Sequence, residues 1–379
     1  MGVIVGPLPN TLANGTLADA TQVMADLNWI VNQVNTNAAA GGASSIGAPN
    51  LLINGAMLIA QRIGGTTSSK TITALRDYAV DRWQYVCDGT INSSLIGSIG
   101  LPGFPFAQRI QRPVSGSNTS PLTVAQSLES SDSYALAGST VTFSFWARSG
   151  ANFSASGSLV TAVISSGTGT DESILKPYTG LATVAVNTFA LSSGWRQFTL
   201  TGIVAASATE VGVSISYTPT GTAGVADYFD VTGCKLEIGN AASAYVTESF
   251  AATLAQCQRY YQKSFPYTVV PVVNALTGCQ VWYQVNKLGA TNEWTIYLPV
   301  TMRDAAAPAA VILNPYSSTF SGFIWDVDAS LAFQSSGLDF AGGIGRGGGS
   351  CATLFGLPTA SSAVGNRVSV NYTIEVELL

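Results

Sequence analysis

The 379-residue chain contains no histidine. That absence removes Ser-His-Asp and Cys-His catalytic relays and any Cys/His zinc site. None of the serines stands in a Gly-x-Ser-x-Gly turn. The run GGIGRGGGS at 342–350 lacks the Gly-Lys-Ser/Thr ending of a phosphate-cradling loop and leads into no helix pattern, so it reads as a loop. Charge is scarce as well. Charged residues make up 10% of the chain, against a usual share of about a quarter, and the formal net charge is −5. Phosphate binding needs clustered Lys and Arg, so nucleic acid is not an expected partner. The nearest approach to a basic patch is Arg109 with Arg112 beside Pro113, which reads as a salt-bridged loop. Neither a cofactor nor a metal ion is expected.

Five cysteines at 87, 234, 257, 279 and 351 form no Cys-x-x-Cys pair, so they are no disulfide framework. Cys234 and Cys257 sit in apolar patterns and read as small buried hydrophobes, which suits assembly in a reducing cytoplasm. The opening GVIVGPLPN is a short apolar run broken by proline with no basic flank, so no signal peptide is expected. No stretch approaches the roughly 20 apolar residues of a membrane span, and no membrane insertion is expected. Solubility then rests on hydroxyl and amide groups, or on burying surface against other subunits.

What is present points to a mainly β protein of two domains with an appendage. The expected division is an N-terminal helical segment at 1–37, a linker at 38–49, a jelly-roll β-sandwich at 50–248, a connecting helix at 249–264 and a second, C-terminal β-sandwich at 265–379. In the first segment Val23, Leu27, Ile30 and Val34 are spaced four, three and four, as heptad core positions are, and Met24 and Val31 widen the stripe. Such a helix is marginal alone in water. Two readings are open: it lies on its own β-domain, or it forms a short coiled coil between subunits. The small, polar linker that follows favours the second, and with it a homo-oligomer, most simply a trimer.

From residue 50 onward, apolar alternation marks strand after strand. Val141, Phe143, Phe145 and Ala147 form one apolar face; Val211, Val213, Ile215 and Tyr217 form another; Cys234, Leu236 and Ile238 alternate with Lys235 and Glu237. The period then changes. Phe250, Leu254, Cys257 and Tyr261 lie on one helical face, with Ser249 or Thr247 as N-cap. In the last segment Val281, Tyr283 and Val285 alternate with Trp282; Trp294, Ile296 and Leu298 alternate with Tyr297; Phe323, Trp325 and Val327 alternate with Asp326 and Asp328. Val368, Val370, Tyr372, Ile374, Val376 and Leu378 form a long apolar face, which would expose a sticky edge unless the strand lies inside a sheet.

Three segments carry a family resemblance. GPLPNTLANGTLADATQVMADLNWIVNQVN resembles a virion-attachment leader of phage structural proteins. NLLINGAMLIAQR with DRWQY resembles the opening of their jelly roll, and KLEIGNAASAYV followed by CQRYYQKS resembles its junction with a C-terminal β-domain. The chain is thus similar to tailed-bacteriophage tail-fibre and appendage proteins. The resemblance implies a non-enzymatic, usually trimeric virion protein, assembled in the host cytoplasm, with other virion proteins as partners at its N-terminus. A head fibre or capsid decoration protein built from the same modules is the alternative to a tail fibre.

A chain anchored by its N-terminus presents its far end to the host, so the receptor contact is expected beyond residue 265. Flat aromatics beside amides and carboxylates suit sugars, because rings stack on apolar C–H faces while polar neighbours bond hydroxyls. Trp282, on the Gln280 and Gln284 face, with Tyr297 and Asp326, are the candidate ligand residues for a host-surface glycan. A polysaccharide-degrading protein working through paired acids is a further alternative. Asp171 with Glu172 is a poorly disposed pair, while Asp326 and Asp328 share a strand face, where a calcium site is also conceivable.

Overall fold

The computed structural model describes residues 21, 23–32, 47–65, 69–73, 77–283, 292–303, 309–316, 323–328, 330–339, 351–356 and 364–378. Residues 23–32 are helical and form α1. Val34, most of the linker and the glycine-rich run at 342–350 lie outside the described residues.

From β1 to β12 the chain builds two six-stranded antiparallel sheets that share one core. The first runs β1 (Ser69–Ile72), β4 (Ile91–Leu101), β5 (Phe104–Gln111), β12 (Tyr228–Ile238), β7 (Thr140–Ser149) and β10 (Arg196–Ile203). The second runs β2 (Asp77–Tyr78), β3 (Gln84–Cys87), β6 (Leu122–Ser127), β11 (Glu210–Tyr217), β8 (Leu159–Gly167) and β9 (Ala182–Ala190). Two-residue alternation turns Val141, Phe143, Phe145 and Ala147 of β7 and Val211, Val213, Ile215 and Tyr217 of β11 inward, all buried as their spacing predicts. Each fully buried side chain of this size contributes roughly 1.5–3 kcal/mol, so these two strands anchor the sandwich.

β12 departs from the expected pattern. Cys234 and Leu236 are buried, but so are Lys235 and Glu237, expected on a wet face, while Ile238 is exposed. The chain leaving the sandwich folds back over that face. Lys235 Nζ donates to Ser243 Oγ at 2.7 Å and to Ala244 O at 3.0 Å, Glu237 accepts from Ser243 N at 2.8 Å, and the two charges pair at 3.1 Å. A bulge between Thr232 and Lys235 makes this possible. Gly233 sits there at φ +60°, and a Cβ would meet the Phe104 and Trp146 rings within 3 Å, so glycine is required twice over.

α2 is a single turn, Ser130–Ser133. α3 spans Phe250–Gln258, with Ser249 Oγ accepting from Ala252 N at 3.2 Å as its N-cap. It ends before the expected 264, and Tyr261 belongs instead to β13 (Tyr261–Lys263). The remaining strands are β14 (Gln280–Tyr283), β15 (Asn292–Tyr297), β16 (Ala309–Leu313), β17 (Phe323–Asp326), β18 (Leu331–Asp339), β19 (Cys351–Gly356) and β20 (Arg367–Glu375). β20 is interior, as its unbroken apolar face predicts. Its first half pairs with β14 and β17 and its second with β13 and β16. The path continues β17, β18, β19, β15 and curls back, because Trp294 and Ile296 of β15 share a core with Val368 and Val370 of β20.

Cys87, Cys234, Cys257 and Cys279 are free thiols, and only Cys279 among them is not buried. Burial pushes Cys234 and Cys257 well above the ordinary thiol value of 9.0. A raised folded-state pKa contributes stability that is present below 9.0 and lost as pH rises above it, because the unfolded chain ionises first. We expect Ellman's reagent to label Cys279 before the other three in the native protein. We also expect a Cys234→Ala, Cys257→Ala double variant to lose less of its urea midpoint than the parent between pH 8 and 10. Equal losses, or early labelling of Cys234, would contradict this burial.

Candidate functional site

Two of the segments singled out by resemblance, NLLINGAMLIAQR with DRWQY and CQRYYQKS, meet where the sandwich joins β13 and β20. Gln61 Nε2 donates to Asp81 Oδ2 at 2.6 Å and to Tyr261 O at 3.1 Å. Arg62 pairs with Asp81 at 3.4 Å, with Glu375 at 3.2 Å and with Glu377 at 3.1 Å, and its guanidinium lies 4.0 Å from the Tyr261 ring centre. Arg82 pairs with the other oxygen of Glu377 and lies 3.6 Å over the Tyr260 ring. The Arg62, Asp81, Arg82 and Glu377 side chains are all at least nine-tenths buried. Burial opposes the charge on both arginines, but the carboxylates, Glu377 foremost on Arg82 and Glu375 then Glu377 on Arg62, more than reverse it. Lys263 adds three bonds, to the carbonyls of Gln61, Tyr267 and Val269, and burial brings its ammonium down to about 8. This is a fixed joint of charges and rings. Beside it lies an open cleft of about 400 Å³, lined by Lys70, Asp77, Val311, Leu313 and Thr373 among others.

The surface chemistry suited to a ligand lies farther along β20, on the face turned away from the core. Tyr283 is in register with Arg367, and both Val281 and Trp325 are in register with Ser369. Directly opposed antiparallel residues, and residues two apart, share a face. So Tyr283 and Val281 from β14, Arg367 and Ser369 from β20, and Trp325 from β17 form one patch. Tyr283 is 66% exposed and Val281 52%. Tyr316, half out in solvent, stacks on Trp325 at 5.6 Å and 19°. Asp328 accepts from Arg367 Nε at 3.0 Å, from Nη2 at 2.7 Å and from the backbone N at 2.6 Å. These hydrogen bonds hold the Asp328 carboxyl below the ordinary aspartate value. The Ser369 hydroxyl is buried and has no protein partner.

The predicted ligand residues fall differently. Trp282 is in register with Val368, half-buried, and packs on the inner core against Trp294, with ring centres 6.4 Å apart. Its expected wet face is therefore the inner one, and Val281 and Tyr283, read as the apolar side, point outward. Asp326 is also registered to Val368. Tyr297 is 81% exposed, but it looks out from β15, in the layer on the far side of that core from Tyr283. Tyr297 is thus not brought together with Trp282. Nothing local in the sequence brings Tyr316, Trp325 and Arg367 together, because their meeting depends on strand pairing, although a tyrosine one residue from Trp282 is a readable signal.

Of the heptad residues, Leu27 is 50% exposed, Val23 and Ile30 are partly covered, and Met24 and Val31 are more than half exposed. Three of the four paired acids already hold protein partners. Asp328 is committed to Arg367, Asp171 accepts from Ser130 N and pairs with Arg303 at 2.9 Å, and Glu172 accepts from Thr179. Among the described residues no group of three or more metal-ligating side chains exists, and no helix is long and apolar enough to cross a membrane.

No protein-family profile matches the chain, and no curated protein matches it. Similar solved structures include the enzymatically active domain of bacteriophage CBA120 tailspike protein 4, at 11% identity over 50% of this chain and 21% of that one, TM-score 0.30. The CBM22-1 xylan-binding domain of Paenibacillus barcinonensis Xyn10C is similar at 9% identity over 52% of this chain and 100% of that one, TM-score 0.31. TmCBM61, solved with beta-1,4-galactotriose, is similar at 11% identity over 51% and 100%, TM-score 0.27. The chain spans about a fifth of the tailspike structure's length. TM-scores of this size carry no argument about function.

Proposed function

We propose that the protein is a structural appendage of a phage virion that reads a host-surface glycan with the outward patch of its C-terminal β-structure. The observation that carries this is the patch itself. Tyr283 and the Tyr316–Trp325 stack offer flat apolar faces, and the Arg367–Asp328 pair sets donors and acceptors between them. That is the combination by which proteins hold sugars, with rings against C–H faces and fixed polar groups for hydroxyls. Trp282 supports the patch from beneath through Trp294 rather than touching ligand. The virion setting rests on the three resembling segments, two of which build the joint that holds the C-terminal β-structure to the sandwich.

In this reading residues 50–248 are a shaft, residues 265–379 carry the reader, and α1 joins copies. Met24, Leu27 and Val31 are uncovered in the single chain, and a trimeric coiled coil through Val23, Leu27, Ile30 and Val34 would bury the stripe. Light scattering should then give three times the chain mass, and Leu27→Asp should lower it to one. A monomeric parent would refute the trimer without touching the glycan assignment.

For recognition, soluble protein should compete with phage for host cells, and Tyr283→Ala or Trp325→Ala should weaken that competition at least about tenfold, a loss of about 1.4 kcal/mol. Trp282→Ala should act through stability instead, lowering the melting temperature before it lowers binding. Full competition by folded Tyr283→Ala and Trp325→Ala proteins would remove the patch from the account.

A further inference from the structure

On the sandwich, one rung of the first sheet concentrates positive charge in a chain that is acidic overall. Ser94, Arg109, Asp230 and Arg148 are in register across β4, β5, β12 and β7, so their side chains share the outer face. Asp230 is fully buried and accepts from both arginines: Arg109 Nε at 2.8 Å and Nη2 at 3.0 Å, and Arg148 Nε at 2.9 Å. Two guanidiniums on one carboxylate leave one positive charge uncompensated. Each arginine also lies on an aromatic ring, Arg109 at 3.5 Å from the Tyr228 ring centre and Arg148 at 4.7 Å from Trp195. Trp195 is itself fixed, its Nε1 donating to Ile99 O at 3.0 Å.

Both arginines keep about a quarter of their side-chain surface in solvent, 23% and 24%. Of the five N–H groups of a guanidinium, Arg109 directs two at Asp230, and Arg148 directs one there and one at Ile99 O. One rung below stand Asn92, Gln111 and Tyr228, half-buried and polar. Arg112 adds no charge to this face, because it is buried against Asp227 at 3.0 Å in the loop beneath. Arg109 and Arg112, three residues apart, thus part company, and the pair that forms is Arg109 with Arg148.

A rigid, ring-backed pair of guanidiniums with net positive charge, spanning two strand spacings or roughly 10 Å, matches a short stretch of glycan that carries an anion. We infer that this rung is a saccharide site selective for an anionic glycan, one bearing uronic-acid carboxylates or sugar phosphates. It is separate from the C-terminal patch and does not depend on the reading given to that patch.

The test uses the full chain and three probes: an oligogalacturonate, a phosphorylated oligomannose and a neutral malto-oligosaccharide of matched length. Binding is followed by calorimetry at low and high salt and by the indole N–H resonance of Trp195. At least one anionic oligomer should bind, move the Trp195 resonance and weaken with salt, while the neutral one should not bind. Which anionic probe binds separates carboxylate from phosphate. Arg148→Gln should weaken binding at least about tenfold, the worth of one charge-assisted hydrogen bond, and Tyr283→Ala should leave it unchanged. Should Arg148→Gln not fold, Arg148→Lys keeps the charge, removes the fork and should weaken binding in the same direction. Failure of both anionic probes, equal binding of the neutral probe, or full affinity in a folded Arg148 variant would overturn the inference.

Discussion

Glu377 is the residue on which the architecture turns. One buried carboxylate takes Arg62 on one oxygen and Arg82 on the other, and the guanidiniums rest on Tyr261 at the start of β13 and on Tyr260 in the turn before it. Taking such charges out of water costs several kcal/mol per ion, and mutual attraction offsets it only when the geometry is good and nearly every group is bonded; here Arg82 Nε is buried without a partner. The return on that cost is a single relative placement of the two β-structures. An apolar interface of the same area could slide, whereas forks, rings and a shared carboxylate fit in one way.

The proposed function needs that placement. A fibre that presents a binding face at its far end works only if the face keeps its aim, and β20 connects the two requirements. Its C-terminal end and the residues just beyond it enter the joint through Glu375 and Glu377, while its N-terminal end sets Arg367 beside Tyr283 and buries Ser369 between Val281 and Trp325. The same strand is therefore tied into the joint at one end and exposed at Arg367 at the other. The sparse charge of the chain is used in the same economical manner, with most described ion pairs buried or half-buried in joints rather than spread over the surface.

Where side chains alternate cleanly, the sequence was a reliable guide: β7, β11, β15 and β20 bury the residues their spacing nominates. The errors share a cause. In β14 a run of Val, Trp and Tyr is apolar on both sides, so spacing could not choose the face, and a one-residue error exchanges all of them. Trp282 was thus assigned to the surface in place of Tyr283. Lys235 and Glu237 read as solvent-facing because nothing local announces that residues 243 and 244 fold back over them. The joint was least legible of all, since Arg82 and Glu377 are 295 residues apart and a lone arginine carries no mark of its partner. Two of the resembling segments, around Arg62 and around Tyr261, supply one side of the joint, while Glu375 and Glu377 come from a strand that carries no resemblance.

The account stands or falls on Glu377 fixing the two β-structures as one body. Differential scanning calorimetry of the parent and of Glu377→Ala tests this most directly, because removing the carboxylate leaves two buried guanidiniums short of their counter-charge, a loss of roughly 3–5 kcal/mol. The parent should unfold in one cooperative transition, and the variant in two, with the C-terminal β-structure melting first. A variant that unfolds once, at the parent's temperature, would contradict the account.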